Sequence, residues 1–231
     1  MERIAIIPAR SGSKGLKDKN ILPLNGRPLM AWTIDCALRS GQFSEVFVST
    51  DSREYAEIAE RFGADASFLR SERNSSDTAG SWDAVREVLG HFEARGRRFD
   101  EVMLLQVTSP LRTPEDIERS VALLHARDAN AVLSVTETEH SPLWCNTLPE
   151  DGRMDNFIDE RYEGTPRQLL PRFYRLNGAI YLLRRGELDE ARMFRNRCYA
   201  YVMPQERSID IDTAWDLKLA EFYMRNGLGI A

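Results

Sequence analysis

Thirteen residues, Pro8 to Asn20, carry two glycines, two serines and four cations directly after the apolar run Ile4-Ala5-Ile6-Ile7. Backbone N–H groups and small side chains in such a loop can wrap the oxygens of a phosphate. Arg10, Lys14 and Lys19 would neutralise its charge, and Arg10 can grip two oxygens at once. The pattern is not a Walker loop, Gly-x-x-x-x-Gly-Lys-Ser/Thr: Gly12 and Gly15 stand only three apart and Lys14 precedes the second glycine. A solvated surface turn is the plain alternative. Far along the chain stands Ser208-Ile209-Asp210-Ile211-Asp212. On a strand, both carboxylates would point one way and both isoleucines the other. Two convergent carboxylates suit Mg²⁺, which would also hold phosphates. Alternatively Asp212 merely caps the helix that follows. Arg167 and Arg175 bring cations near Asn177-Gly178, which on its own reads as a tight turn. Gln106 to Arg112 would set an amide and hydroxyls in a cleft, or form a helix-entry loop.

The elements that must hold these groups alternate. Arg3–Pro8 reads as a buried strand, and Pro28 opens a helix that Gly41 closes. Glu45–Thr50 is a strand, with a helix running to Gly63. Glu101–Val107 is a strand, Thr113-Pro114-Glu115-Asp116 caps a helix, and Ala131–Val135 is a strand. Phe173–Leu183, Cys198–Met203 and Ser208–Asp212 are strand-like, and a helix runs from Thr213 to about Asn226. This rhythm predicts an α/β fold with a mostly parallel sheet and helices on both faces. Ligands then gather beyond the carboxyl ends of the strands, where Arg10, Asp51 and Gln106 to Arg112 fall. The rhythm breaks over 140–172, which is rich in Pro, Arg and acidic residues with Trp144, Phe157 and Tyr162 interspersed. So long an excursion within a compact domain is expected to pack on something, most simply a second subunit.

Composition narrows the functional classes. With 231 residues, 42% of them apolar, the chain suits one large domain. A net charge of −5 argues against nucleic-acid binding, so the basic loop is local. Arg95-Gly96-Arg97-Arg98 reads as a solvated turn. Cys36, Cys145 and Cys198 are odd in number and scattered, as expected of reduced thiols in a cytoplasmic protein. His91, His125 and His140 form no sequence cluster for a metal. No segment approaches the roughly 20 apolar residues of a membrane span, and the amino terminus lacks a signal-peptide pattern.

Taken together, these pieces resemble the acylneuraminate cytidylyltransferases, which activate sialic and related nonulosonic acids as CMP-sugars. The matching segments are PARSGSKGLKDKN at 8–20, STD at 49–51, SSDTAGS at 75–81, LLQVTSPLR at 104–112, PRQLLPRFYRLNGAIY at 166–181 and SIDIDTAWDLKLAE at 208–221. The resemblance implies a Rossmann-like nucleotidyltransferase fold of glycosyltransferase-A type, with CTP as co-substrate, Mg²⁺ as cofactor and a homodimer built through 140–172. By position it gives Arg10 and Lys19 to the triphosphate, with Ala9 and the Ser11-Gly12-Ser13-Lys14-Gly15 backbone around it. Asn20, Arg70 and Ser81 match the cytidine contacts. Gln106 and Arg167 match the sugar-acid contacts, Arg167 as partner of the carboxylate; Tyr181 matches an aromatic near that sugar, and Arg175 and Asn177 are expected to bind it as well. Asp210 and Asp212 match the Mg²⁺ pair, with Asp210 also lowering the cost of deprotonating the sugar hydroxyl. Two positions depart from the pattern. Val107 stands where many sialic-acid members have Pro, and Trp144 where some have Lys. A large apolar face at Trp144 points to a less polar sugar side chain, favouring a legionaminate-type acid over N-acetylneuraminate. CMP transfer to 3-deoxy-manno-octulosonate is the rival on the same fold, but that family's loop usually reads Ser-Ser-Arg-Leu-Pro-Gly-Lys. A non-catalytic nucleotide-binding protein is the rival of another class, expected to have lost one of Arg10, Lys19, Asp210 or Asp212.

Overall fold

The computed structural model describes residues 1–13, 15–76, 79–188 and 193–227. Lys14 therefore lies outside the described residues. Among the described residues there are eight strands: β1 Arg3–Pro8, β2 Pro23–Leu24, β3 Arg27–Pro28, β4 Glu45–Ser49, β5 Glu101–Leu104, β6 Ala131–Glu137, β7 Tyr174–Arg184 and β8 Cys198–Val202. The helices are α1 Leu29–Arg39, α2 Arg53–Arg61, α3 Glu72–Ser75, α4 Ser81–Ala94, α5 Pro114–Ala126 and α6 Ala214–Arg225. Six strands form one sheet in the order β4-β1-β5-β7-β6-β8, and β2 and β3 make a separate small hairpin. Within the six, β7 alone runs antiparallel to its neighbours.

The alternation along β1 explains the layering. Ile4 and Ile6 pack with Trp82, Val85, Leu89 and Phe92 of α4. Ala5 and Ile7 pack on the opposite face with Leu29 and Ile34 of α1, Tyr55 and Ile58 of α2, and Ile117 of α5. Both faces of the strand are thus dry, and its continuous apolar run is what that requires. The α4 helix is absent from the sequence-based reading, although Trp82, Val85, Val88, Leu89 and Phe92 follow a helical period. The Arg95–Arg98 turn is solvent-exposed, as expected.

Two elements differ from expectation. Ser208–Asp212 is not a strand: it has no regular secondary structure and follows a 3₁₀ turn, Gln205–Arg207. Among the described residues no strand pairs with it; Ile211 is buried as the alternation demanded, while Ile209 is only half-buried. Asn177-Gly178 is not a chain-reversing turn but lies inside β7. There the β6–β7 register jumps between Leu133↔Tyr181 and Val135↔Leu176, so β7 bulges against Ser134.

The 140–172 excursion is the loop of this same strand pair. β6 and β7 remain in register out to Glu137↔Tyr174, and the Thr138 N–H donates to the Phe173 carbonyl at 2.9 Å. Beyond that clasp, the regular structure consists of the 3₁₀ turns Pro142–Trp144 and Arg167–Leu169. Leu148, Met154 and Leu169 project from it 61%, 59% and 72% exposed, an apolar surface that an isolated chain leaves in water.

Candidate active site

A cavity of about 570 Å³ opens beyond the carboxyl ends of β1 and β5. One wall is the loop after β1, which contributes Arg10, Ser13, Gly15, Lys19 and Asn20. The floor is Gln106, Val107 and Thr108, and Arg70 and Ser81 enter from the side. The facing wall carries Asp210 and Asp212. Ten residues singled out in the sequence therefore meet in one cleft.

The loop is held by buried anchors. Ala9 continues the sheet, its N–H donating to the Ser49 carbonyl at 2.9 Å. Asp51 then accepts both the Ser11 N–H at 2.7 Å and the Ser11 hydroxyl at 2.9 Å. The Ser11 N–H is therefore committed to Asp51, and Ala9, Ser11 and Gly12 shape the loop from behind rather than line the cavity. The buried Asn20 amide donates to the Arg10 carbonyl at 2.9 Å, fixing the loop's return. Gly15 is required by close approach, since a Cβ there would stand 3.0 Å from the Asp212 carbonyl oxygen.

The two walls touch. Lys19 Nζ donates to Asp212 Oδ1 at 2.9 Å, with the lysine largely buried and the aspartate side chain 72% exposed. Asp212 does not cap α6; Thr213 does, in a reciprocal capping box with Asp216. The Asp212 carboxylate is thereby left to the cleft. Desolvation by the cleft walls pushes the Asp210 carboxyl above its ordinary value, and the like charge of Asp212 adds to this. The Thr108 hydroxyl, Lys19 and Arg175 pull the other way. Arg70 is 8% exposed and donates through Nε to the Ser49 hydroxyl at 3.0 Å and through Nη2 to the Ser49 carbonyl. It is a rigid, buried cation at the cavity edge.

A sheet-end cleft with basic and acidic walls suits an anion held with a cation, and similarity supplies the family. Residues 4–148 match the family model described as cytidylyltransferase. The chain belongs to that family. Relatives extend the match over almost the whole chain. The N-acylneuraminate cytidylyltransferase of Streptococcus agalactiae serotype V is 40% identical over 94% of this chain. The chain spans about half the length of that relative, 52%. The CMP-N,N'-diacetyllegionaminic acid synthase of Legionella pneumophila is 36% identical over 97% of both chains. The pseudaminic acid cytidylyltransferase of Campylobacter jejuni strain 81-176 is 32% identical over 96% of this chain and 95% of its own. Among solved structures, a CMP:2-keto-3-deoxy-manno-octonic acid synthetase complexed with CTP superposes with a TM-score of 0.74 at 18% identity, over 99% of this chain and 100% of its own. That likeness is one of fold.

The other residues singled out in this cytidylyltransferase-family chain fall outside the cavity. Asn177 is not a ligand-facing residue. It is 1% exposed, its amide donates to the Ser208 hydroxyl at 2.9 Å, and its Oδ1 accepts from the Ser134 hydroxyl at 2.6 Å and the Ala179 N–H at 3.2 Å. Its polarity is spent inside the bulge, which no local signal in the sequence marks. Tyr181 is half-buried edge-on to Trp82, 6.2 Å between ring centroids. Burial and the Asp210 charge raise its hydroxyl pKa. Arg175 pairs with Glu139 Oε1 at 3.1 Å, and Arg167 donates to the Glu139 carbonyl at 2.7 Å. Arg167 lines a separate cavity of about 370 Å³ at the root of the arm, with Ser141 and Phe173. Trp144 is half-buried within the arm. Sequence reasoning placed Asp51 and Thr108 at strand ends beside the site; the structure gives Asp51 the task of holding Ser11 and sets Thr108 on the cavity floor.

Proposed function

We propose that the chain transfers CMP from CTP to the anomeric hydroxyl of a nonulosonic, sialic-type acid and releases pyrophosphate. The observation that carries this is the pairing of walls: Arg10 and Lys19 face Asp210 and Asp212 across one cavity, with Lys19 and Asp212 already in contact at 2.9 Å. The names of the full-length relatives supply the substrate class.

In the reaction the hydroxyl oxygen attacks the α-phosphorus in line. The bond to the β-phosphate breaks, and the hydroxyl proton leaves. Such chemistry rests on positioning and on neutralising charge at the phosphate oxygens. Arg10 and Lys19 supply that charge, and Asn20, Arg70 and Ser81 hold the cytidine end. Asp210 and Asp212 fit a Mg²⁺ ion: both are hard oxygen donors on the cavity wall, and their open side leaves places for phosphate and water. When bound, Mg²⁺ would supply Lewis-acid neutralisation of the phosphates. Asp210, on the cavity wall, is the candidate for lowering the cost of removing the hydroxyl proton, directly or through the ion it would hold. Gln106 contacts the sugar acid. Arg167, turned away from its own chain's cavity, supports a homodimer in which the arm carries it to the partner's site as carboxylate partner.

The acid favoured is a legionaminate-type, diacetamido sugar, on the apolar face of Trp144 and on the full-length match to the Legionella relative. Three free thiols fit work in the cytoplasm, and no described helix is long and apolar enough to cross a membrane. The test is pyrophosphate release with CTP, Mg²⁺ and a panel of nonulosonic acids and 3-deoxy-manno-octulosonate. Turnover is expected with a nonulosonic acid, fastest with the diacetamido acid, and lost in Arg10→Ala and Asp210→Ala variants that stay folded. No turnover with any acid sinks the enzyme reading, and a clear preference for N-acetylneuraminate sinks the choice of sugar.

A further inference from the structure

The acidic wall has no strand to hold it, yet it must keep two carboxylates on target. Upstream, β8 is an edge strand whose one partner is β6. The chain then passes through Pro204 and the 3₁₀ turn before reaching Asp210. Three successive contacts hold it. Arg207 forks onto Asp116 of α5, with Nε donating to Oδ2 at 3.1 Å and Nη2 to Oδ1 at 2.7 Å. Ser208, fully buried, donates to the Pro204 carbonyl at 2.8 Å and accepts from the Asn177 amide at 2.9 Å. Ile211, also fully buried, donates its N–H to the Thr108 carbonyl at 2.8 Å.

Asp116 is more than a helix cap. It is 1% exposed and accepts the Thr113 N–H at 2.9 Å and the Tyr201 hydroxyl at 2.9 Å as well as the guanidinium. Desolvating Asp116 and much of Arg207 offsets a good part of their attraction, so the pair adds little net stability. Its planar fork does impose orientation, which Lys cannot reproduce. The pair ties the first turn of α5 to the residue three positions before Asp210. We infer that Asp116 and Arg207 form a positioning pair that aims Asp210 and Asp212 at the metal of the metal–nucleotide complex, an inference that rests on the reading of those aspartates as the metal site.

The test compares CTP affinity by calorimetry with and without Mn²⁺, a stand-in for Mg²⁺, in the full chain without sugar acid. The ratio of the two affinities is the metal's contribution, read apart from turnover. In Arg207→Met this ratio is expected to fall about tenfold, as for other residues that orient metal ligands. Arg207→Lys should fall less, and metal-free CTP affinity should stay near wild type in both. Should Arg207→Met fail to fold by circular dichroism, Arg207→Lys and Asp116→Asn carry the comparison. A ratio that needs Asp210, as read from Asp210→Asn, but ignores Arg207 and Asp116 overturns the positioning role alone. A ratio indifferent to Asp210→Asn overturns the metal reading and this inference with it. Equal losses with and without Mn²⁺ also overturn the inference, since the pair would then serve the fold at large.

Discussion

Gly178 connects the fold to the site, and Gly178→Ala measures that connection. Its φ is +75°, a region open to glycine and strained for alanine by about 1–2 kcal/mol. A Cβ there would also stand well inside 3.0 Å of the Gln106 amide oxygen, a separation real Cβ atoms do not show. The backbone of the bulge is tied down by Ser134 and Asn177, so the flexible Gln106 side chain is what gives. Ordinary contact requires it to retreat by roughly 1 Å. Two separable effects follow. The strain should lower the melting temperature by about 2–8 °C, at roughly 2–4 °C per kcal/mol for a chain of this size. The displaced amide should lower kcat/KM for the sugar acid by about 10²-fold, the scale of a 1 Å misplacement. KM for CTP should hold, since Gln106 is read as a sugar-acid contact. Pyrophosphate release with each substrate varied in turn, beside a thermal melt, separates the two. Because the route runs through Gln106, adding Gly178→Ala to Gln106→Ala should cost little further activity. Fully additive losses, or a folded Gly178→Ala variant with kcat/KM for the sugar acid within twofold of wild type, would refute the reasoning.

Three further outcomes are expected. Lys19→Met should leave the melting temperature within a few degrees, because an ion pair to so exposed a carboxylate contributes under about 1 kcal/mol. The same variant should lose about 10²-fold in CMP transfer; a large thermal loss with activity kept contradicts this. For Asp116, burial pushes the carboxyl up, but Arg207, the Thr113 N–H and the Tyr201 hydroxyl outweigh it and hold the group below the usual carboxylate range. A lowered folded value stabilises above the unfolded value of about 3.9 and fades as pH falls through the folded one. Denaturant titrations should therefore find the gap between wild type and Asp116→Asn full at pH 7 and shrinking below about pH 4; a constant gap is the contrary result. Finally, shortening the arm between Ser141 and Arg167 should give a monomer with weak activity on size exclusion, and a dimer that persists would remove the arm from the interface.

The fold was legible where a local period and a hydrophobic pattern coincide. The strand before the loop, the capped α5 and the alternation of strands and helices follow from residues that neighbours in sequence can read. The site was legible where residue chemistry is unusual: a cation-rich Gly/Ser loop and an Asp-x-Asp pair. Asn177 shows where this stops. An Asn-Gly pair is a turn by local chemistry, but the register jump opposite Ser134 makes it a bulge with a buried amide. In sequence Asp51 marks a strand end, Asp116 a helix cap, and Arg207 looks like an ordinary surface charge. Their work depends on partners 40 and 91 positions away.

Sequence alone singled out a cation-rich Gly/Ser loop near one end and an Asp-x-Asp pair near the other as candidates for holding phosphate, because those residue types suit that chemistry in such patterns. Only the tertiary structure decided that the two ends form one cleft, joined by Lys19 and Asp212 at 2.9 Å. The reason is physical. A strand period orients side chains within one element, whereas the aim of the Asp210–Asp212 segment comes from the half-buried Arg207 forked onto the buried Asp116, a buried serine and one hydrogen bond to Thr108. Those contacts exist only once the sheet has closed its order and brought β1, β5 and the end of β8 together.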